Sequence, residues 1–493
     1  MECFDLLLPH ITSILNDSLA LGTFPSDFKN SLVVPLLKKK SLDQNILKNY
    51  RPVSNLSFIS KILERVVFNQ FINHLQKNNL IEPFQSAYKA GHSTETALLR
   101  VVNDLFSSVD NGNVSMLTML DLSAAFDTLD HEIVFHRLSF SFGINGKVLS
   151  WIKSYLQCRK QKVKLDSFYS QNLDLLYGVP QGSVLGPLLF SMYVFPIKDV
   201  IYKDLFSYHL YADDTQLYSN FKPSEIDNVL SIVSNCTHDV NNWMRDNYLK
   251  MNNDKTELLL CGTSQKLNTV DVNNVLIGDE LIYFSKTVKN LGVTLDQTLS
   301  LNTHVSTVRK SCYFVIRNIS KFRSFINHKA TVQLVVSLVL SKLDYCNSLF
   351  FNMSNDNFNK LQTIQNHAAR VVTKAHKRSS ALPILKELHW LPIRQRVDYK
   401  ISIMVFKCLN QSDFPSYLKD LISIYTPTRE LRSSSDRFLL VKPFMRLATF
   451  GQRSFHYAAP TVWNALPYEI RSLKNLQIFK TKLKTHYFKI AFD

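Results

Sequence analysis

An α+β fold is the class the sequence predicts, and three observations carry it. Two short apolar runs, Met116 to Leu120 and Tyr208 to Ala212, each end at an acidic residue and read as buried strands. Amphipathic helical patterns lie before and after them, without the regular strand–helix alternation of a parallel sheet. Beyond residue 300 the strand signals fade, helical spacing dominates and the charge changes sign.

The first helix is predicted over Ile59 to Leu75. Ile59, Ile62, Leu63, Val66, Val67, Phe71 and Leu75 recur at helical spacing, with Lys61, Glu64, Arg65 and Gln70 on the other side. A second is predicted from about Glu225 to Leu249, opened by Pro223 and Ser224 ahead of Ile226, Val229, Leu230 and Val233. Further helices are expected over Thr331 to Leu343 and over Phe358 to Val372, where Leu361, Ile364, His367, Ala368 and Val371 share a face. Leu175 to Ile197 is uncharged and long enough to cross a bilayer, but Gly178, Pro180, Gly182, Gly186 and Pro187 would interrupt a spanning helix. A buried loop and helix is the expectation there, with no membrane contact. Glu2 and Asp5 replace the positive start of a signal peptide, and Pro9-His10 breaks its apolar run.

The chain has 493 residues, enough for more than one core, and a formal charge of +17. Residues 1 to 300 hold 27 Lys+Arg against 30 Asp+Glu, whereas residues 301 to 493 hold 30 against 10. A threefold cationic excess over so long a segment points to a polyanionic partner, nucleic acid above all. The seven cysteines stand singly, without CxxC pairs, which argues against a zinc site and against a disulfide framework.

Chemistry is signalled by carboxylates. Tyr211-Ala212-Asp213-Asp214 places two adjacent acids at the tip of an apolar hairpin, a costly arrangement unless a cation neutralises them. Asp121 closes another buried run in Leu120-Asp121-Leu122-Ser123-Ala124-Ala125-Phe126-Asp127. Alone, the first is an ordinary solvated turn and the second a helix cap. Together they suit phosphoryl transfer, which uses hard cations held by carboxylates from separate segments.

In chain order, Asp121 with Phe126, then Gly178-Val179-Pro180-Gln181-Gly182-Ser183-Val184-Leu185-Gly186-Pro187, Tyr211-Ala212-Asp213-Asp214 and Leu249-Lys250-Met251-Asn252-Asn253-Asp254-Lys255-Thr256 resemble the motifs of reverse transcriptases. Asn49-Tyr50-Arg51-Pro52-Val53-Ser54 and Gln85-Ser86-Ala87-Tyr88-Lys89-Ala90-Gly91-His92-Ser93-Thr94-Glu95 resemble the fingers motifs of LINE-type (non-LTR) retrotransposons, CR1/L2-like groups in particular. Leu343-Asp344-Tyr345 and Ala459-Pro460-Thr461-Val462-Trp463-Asn464 resemble the tail of the same elements.

The resemblance implies a right-hand polymerase. An N-terminal segment over 1–29 would precede fingers and palm over 30–300, the palm carrying its carboxylates on an antiparallel sheet. A helical thumb over 301–390 and a basic, mostly helical region over 391–493 would follow. It further implies RNA-directed DNA polymerase activity with two Mg²⁺ ions, Mn²⁺ substituting, held by Asp121 and Asp213 with Asp214 as third carboxylate. Phe126 matches the bulky residue that excludes a 2′-hydroxyl, Gln181 and Gly182 the loop against nucleotide and template, and Lys38 and Arg51 the cations on the triphosphate. Lys255 matches a lysine that protonates pyrophosphate, a surface salt bridge being the alternative, and Gly292 in Asn290-Leu291-Gly292-Val293 matches the primer grip. His131, after Asp130, is expected to be structural. Implied partners are an RNA template, a DNA primer and dNTPs, in a ribonucleoprotein shared between nucleus and cytoplasm. Nothing in the chain resembles the upstream endonuclease of such elements, which leaves a separate endonuclease as a further partner. The competing expectation is a decayed or domesticated element that binds nucleic acid without catalysis.

Overall fold

A computed structural model describes residues 4–123, 126–201, 205–426 and 438–493. Ala124 and Ala125 of the Asp121 motif, and Glu2 and Cys3, lie outside the described residues.

The centre is a four-stranded antiparallel sheet. Val114–Leu120 is flanked by Glu257–Cys261 on one side and Asp214–Phe221 on the other, and Ser207–Tyr211 pairs with the far edge of Asp214–Phe221. All seven residues of Val114–Leu120 are buried, polar Ser115 and Thr118 among them. Because side chains alternate across a strand, the sheet serves two cores. Val114, Met116, Leu120, Leu217, Leu258 and Leu260 join one; Leu117, Met119, Tyr218, Leu259 and Cys261 join the other.

The first core is closed by the helices Phe58–Lys77, His131–Phe140, Gly146–Leu156 and Ile226–Asp246. Phe58–Lys77 and Ile226–Asp246 match the periodic segments of the sequence. Glu64 does not lie on the solvent side as its spacing suggested. It is fully buried, because its Oε2 accepts from the Val184 and Leu185 backbone N–H groups at 2.7 and 3.2 Å and from the Tyr155 hydroxyl, while Oε1 accepts from Ser60.

The second core joins the helix Thr94–Asp110 to the C-terminal helices, among them Asn302–Phe322, Asn355–Thr373, Ile393–Asn410, Phe455–Asn464 and Leu476–Phe492. Thr331 to Leu343 is helical but not one regular helix: α-helical turns over His328–Val335 and Ser341–Asp344 flank a π-helical stretch, Val336–Leu340. Polar ties reinforce the union. Asp110 accepts from the backbone N–H groups of Arg446 and Leu447, and Glu95 accepts from the Ser348 hydroxyl at 2.7 Å while pairing with Lys400 at 3.2 Å.

A second sheet stands apart. Asn30–Leu37 pairs antiparallel with Tyr50–Asn55 and parallel with Arg159–Leu165, which carries the short strands Phe168–Tyr169 and Leu173–Leu175. Among the described residues no helix is long and apolar enough to cross a membrane. Leu175 to Ile197 forms the loop and the buried helix Gly186–Tyr193.

Removing residues 301–493 would bare the outer face of Thr94–Asp110, where the Phe106 ring packs against that of Phe450 and each buried Leu, Val or Phe is worth about 1.5–3 kcal/mol. The fragment 1–300 is therefore expected to lose its near-ultraviolet circular dichroism and to bind a hydrophobic dye. A cooperative thermal transition in that fragment would show that the second core is dispensable.

Candidate active site

The carboxylates meet at one end of the central sheet. Leu120 faces Thr215 across the ladder, so Asp121, one residue on, emerges beside Asp214. The hairpin closes between Tyr211 and Asp214, leaving Ala212 and Asp213 as its two-residue turn. The strand thus stops at Tyr211, one residue short of the apolar run, since Ala212 adopts the left-handed conformation, φ 57°. Asp213 and Asp214 are both partly buried.

Electrostatics ties the three acids together. Burial first, then the charge of Asp121, raises the Asp213 carboxyl above its usual range, with Lys255 and Arg51 opposing. Burial and the charges of Asp213 and Asp121 lift Asp214 further, to about 6. The nearest counter-ion is Lys255, whose Nζ lies 2.7 Å from Asp121 Oδ2. Asn252 Nδ2 donates to the same oxygen at 3.1 Å, and its backbone N–H donates to the Asp121 carbonyl. Both residues belong to Lys250 to Lys255, where a short strand at Lys250–Met251 pairs with Leu122–Ser123.

Among the described residues no three His, Cys, Asp or Glu side chains form a closed metal cluster. The donor set nevertheless fits a hard divalent cation: two partly buried carboxyls are raised by burial and by neighbouring carboxylate charge, and a third is satisfied by an ammonium group.

The other predicted positions divide. Gln181 and Gly182 lie between two parts of the site: the Gln181 carbonyl accepts from Ser54 N–H at 2.8 Å, and its side chain donates to both carboxylate oxygens of Asp127. A Cβ on Gly182, φ 110°, would come within 3.0 Å of the Ser54 carbonyl, so the close approach needs glycine. Arg51, on the adjoining strand, is exposed, and its charge acts on Asp213. Phe126 is half-buried, with its ring 4.9 Å from that of Phe190, and its carbonyl accepts from Val179 N–H. His131 is structural, bonding the Gly178 carbonyl at 2.9 Å. Lys38 is exposed at the outer end of the Asn30–Leu37 hairpin, with Nζ on the Lys48 carbonyl at 2.7 Å. Gly292, φ 88°, turns the hairpin Thr287–Asn290 to Val293–Asp296, and the Tyr345 hydroxyl donates to the Leu291 carbonyl at 2.6 Å.

The sequence reading missed the residues that hold backbone. Glu64 binds the N–H groups that follow Ser183. Gln85 lies beside the hairpin, where Phe84 and Ser86 hydrogen-bond Leu210. Gln85 Oε1 accepts from Ala212 N–H at 3.0 Å, and its Nε2 donates to the Ala212 carbonyl at 3.3 Å. The signal was a polar residue inside a family-like motif for Gln85 and a charged residue within a helical pattern for Glu64, but only the fold says what each faces.

A carboxyl raised in the folded chain contributes stability below its unfolded pKa, roughly 3.9, and that contribution is lost as pH rises through the folded value. Asp214→Asn is therefore expected to raise the melting temperature of the metal-free chain above pH 6 and to leave it unchanged near pH 4. Melts in chelator across that range check it; equal shifts at both ends would mean that charge is not the cause.

Comparison with known proteins bears on this geometry. A family model described as reverse transcriptase (RNA-dependent DNA polymerase) matches residues 37–295. The probable RNA-directed DNA polymerase from transposon BS of Drosophila melanogaster is 26% identical over 383 residues, covering 74% of this chain and 40% of that protein. The RNA-directed DNA polymerase from mobile element jockey of the same species is 25% identical over 384 residues, covering 75% of this chain and 40% of that protein. The chain thus spans about two-fifths of the length of the curated relatives it matches. A structure of apo telomerase from Candida tropicalis aligns over 80% of this chain and 70% of its own at 13% identity, with a TM-score of 0.43. The family match covers more than half of the chain and contains Asp121, Asp213 and Asp214, and on that extent the chain belongs to the reverse transcriptase (RNA-dependent DNA polymerase) family.

Proposed function

We propose that this chain is the RNA-directed DNA polymerase of a non-LTR retrotransposon, extending a primer 3′-hydroxyl with deoxynucleotides on an RNA template. The observation that carries the reading is the convergence of Asp121, Asp213 and Asp214 at one sheet end, with Arg51 and Lys255 acting on the same charges.

Asp121 and Asp213, with Asp214 as third carboxylate, would hold two Mg²⁺ ions, Mn²⁺ substituting. Ions bound there supply Lewis acidity, lowering the pKa of the primer hydroxyl and balancing charge on the departing pyrophosphate. The chain's own part is positioning and charge. Arg51 offers a planar fork to triphosphate oxygens, a geometry that suits bidentate contact. Lys255 holds its ammonium at Asp121 and would be the proton donor to the departing pyrophosphate. Lys38 reaches the triphosphate only by leaving the Lys48 carbonyl, which makes Arg51 the principal clamp. Gln181 and Gly182 lie against nucleotide and template, and the turn at Gly292, braced by Tyr345, grips the primer.

The cationic excess after residue 300 supports a polynucleotide partner in part. Arg323, Arg370 and Arg453 are committed to carbonyl oxygens within the fold. Arg309, Lys310, Arg317, Lys321, Lys374, Lys377 and Arg378 are exposed and available to phosphates.

Primer extension on an RNA template with Mg²⁺ tests the proposal. Asp121→Asn or Asp213→Asn is expected to reduce extension to background while the melting transition persists; near-normal extension by either variant would refute the metal-binding assignment. Phe126→Val is expected to raise the ratio of ribonucleotide to deoxynucleotide incorporation, because it opens space where the 2′-hydroxyl would sit. An unchanged ratio would leave Phe126 as core packing alone.

A further inference from the structure

Ala212 presents a physical problem that its own sequence does not solve. A non-glycine residue in the left-handed region is disfavoured by about 1–2 kcal/mol, and such conformations persist only where the surroundings over-determine them. The two acids of the site hang from this one residue, because Asp213 completes the turn and Asp214 opens the next strand.

What surrounds Ala212 is Gln85. One carboxamide satisfies both backbone groups of the strained residue, accepting from its N–H at 3.0 Å and donating to its carbonyl at 3.3 Å. The same Oε1 accepts from Ala87 N–H at 3.0 Å, which fixes the rotamer, and Gln85 is almost wholly buried. The strap that carries it is anchored at both sides. Ser86 N–H donates to the Leu210 carbonyl, and the Ser86 hydroxyl bridges His209 Nε2 at 2.8 Å and the Tyr417 hydroxyl at 2.7 Å. Tyr417 belongs to the C-terminal core and also bonds Thr96.

We infer that Gln85 is a positioning residue of the active site: by clamping Ala212 in the left-handed conformation it sets the direction of the Asp213 and Asp214 carboxylates, and so the geometry in which they hold divalent cations. The inference rests on the proposed role of those acids as metal ligands. No other side chain reproduces this pair of bonds. Glutamate keeps the acceptor but sets an oxygen against the Ala212 carbonyl and adds a negative charge beside two raised carboxyls. Asparagine is one methylene short, and methionine fills the space without either bond.

The experiment uses the full chain with Gln85→Met, Gln85→Glu and Gln85→Ala. Manganese binding is titrated by electron paramagnetic resonance without nucleotide or primer, and steady-state primer extension is measured in parallel. Loss of an outer-shell partner lowers metal affinity or turnover by about 10–100-fold, and all three variants are expected in that range. The loss should fall on manganese affinity and on kcat, with the KM for dNTP within a few-fold of wild type, and high manganese should restore part of the rate. Gln85→Met guards against a packing artefact, since it keeps the volume and its melting temperature reports the fold. Wild-type manganese affinity in a folded Gln85→Met chain would overturn the inference, as would a loss confined to the KM for dNTP. Should the wild type bind manganese yet extend no primer, the polymerase reading fails while the positioning role is still decided by the titration.

Discussion

Like-charge repulsion is the constraint on which this structure turns. Asp121, Asp213 and Asp214 share one sheet end, and two of them are raised by burial and by one another's charge. Such a cluster relaxes apart unless the backbone beneath it is stiff. The stiffness comes from a sheet with a hydrophobic core on each face, so that Val114–Leu120 has no solvent side towards which to bend. Residues after 300, which supply none of the carboxylates, join the second core through the outer face of Thr94–Asp110.

The site divides its tasks between two kinds of side chain. Cations manage charge: Lys255 sits on Asp121, and Arg51 lowers the cost of ionising Asp213. Polar groups with hydrogen bonds to spare, Gln85, Glu64 and His131 buried and Tyr345 exposed, manage the backbone. Gln85 holds Ala212, Glu64 holds the start of Gly186–Tyr193, His131 holds Gly178 and Tyr345 holds Leu291. These residues touch main-chain atoms, which makes them insensitive to the identity of the residue held but sensitive to its conformation. The glycines they meet are constrained in the same way; a Cβ on Gly178 would come within 2.7 Å of the Asp127 carbonyl.

Net charge proves a coarser guide than its size suggests. Arg453 is buried and bonds the Leu299 carbonyl, while Arg323 caps the end of Asn355–Thr373 through the carbonyls of Val371 and Val372. A guanidinium can satisfy several helix-end carbonyls at once, so part of a cationic excess is consumed as capping chemistry before any partner is met. The remainder is carried by exposed residues such as Arg309, Lys310, Lys374 and Lys377.

The sequence by itself determined the parts whose cause is local. A largely apolar run makes Val114–Leu120 a doubly buried strand, helical spacing makes Phe58–Lys77 and Asn355–Thr373, and the ordered motifs single out Asp121, Asp213 and Arg51, whose charges the fold brings to bear on one another. The sheet of Asn30–Leu37, Tyr50–Asn55 and Arg159–Leu165 was not legible, because Pro35, Pro52 and the lysines of Arg159–Leu165 mask any apolar run. Tertiary structure alone decided that Glu64 is buried, that Gln85 faces Ala212 and that the last two-fifths of the chain shares a core with Thr94–Asp110 and one face of the central sheet. The physical reason is that periodicity records which residues avoid water, whereas a buried polar group is placed by a partner that can lie a hundred residues away, as Ala212 does from Gln85.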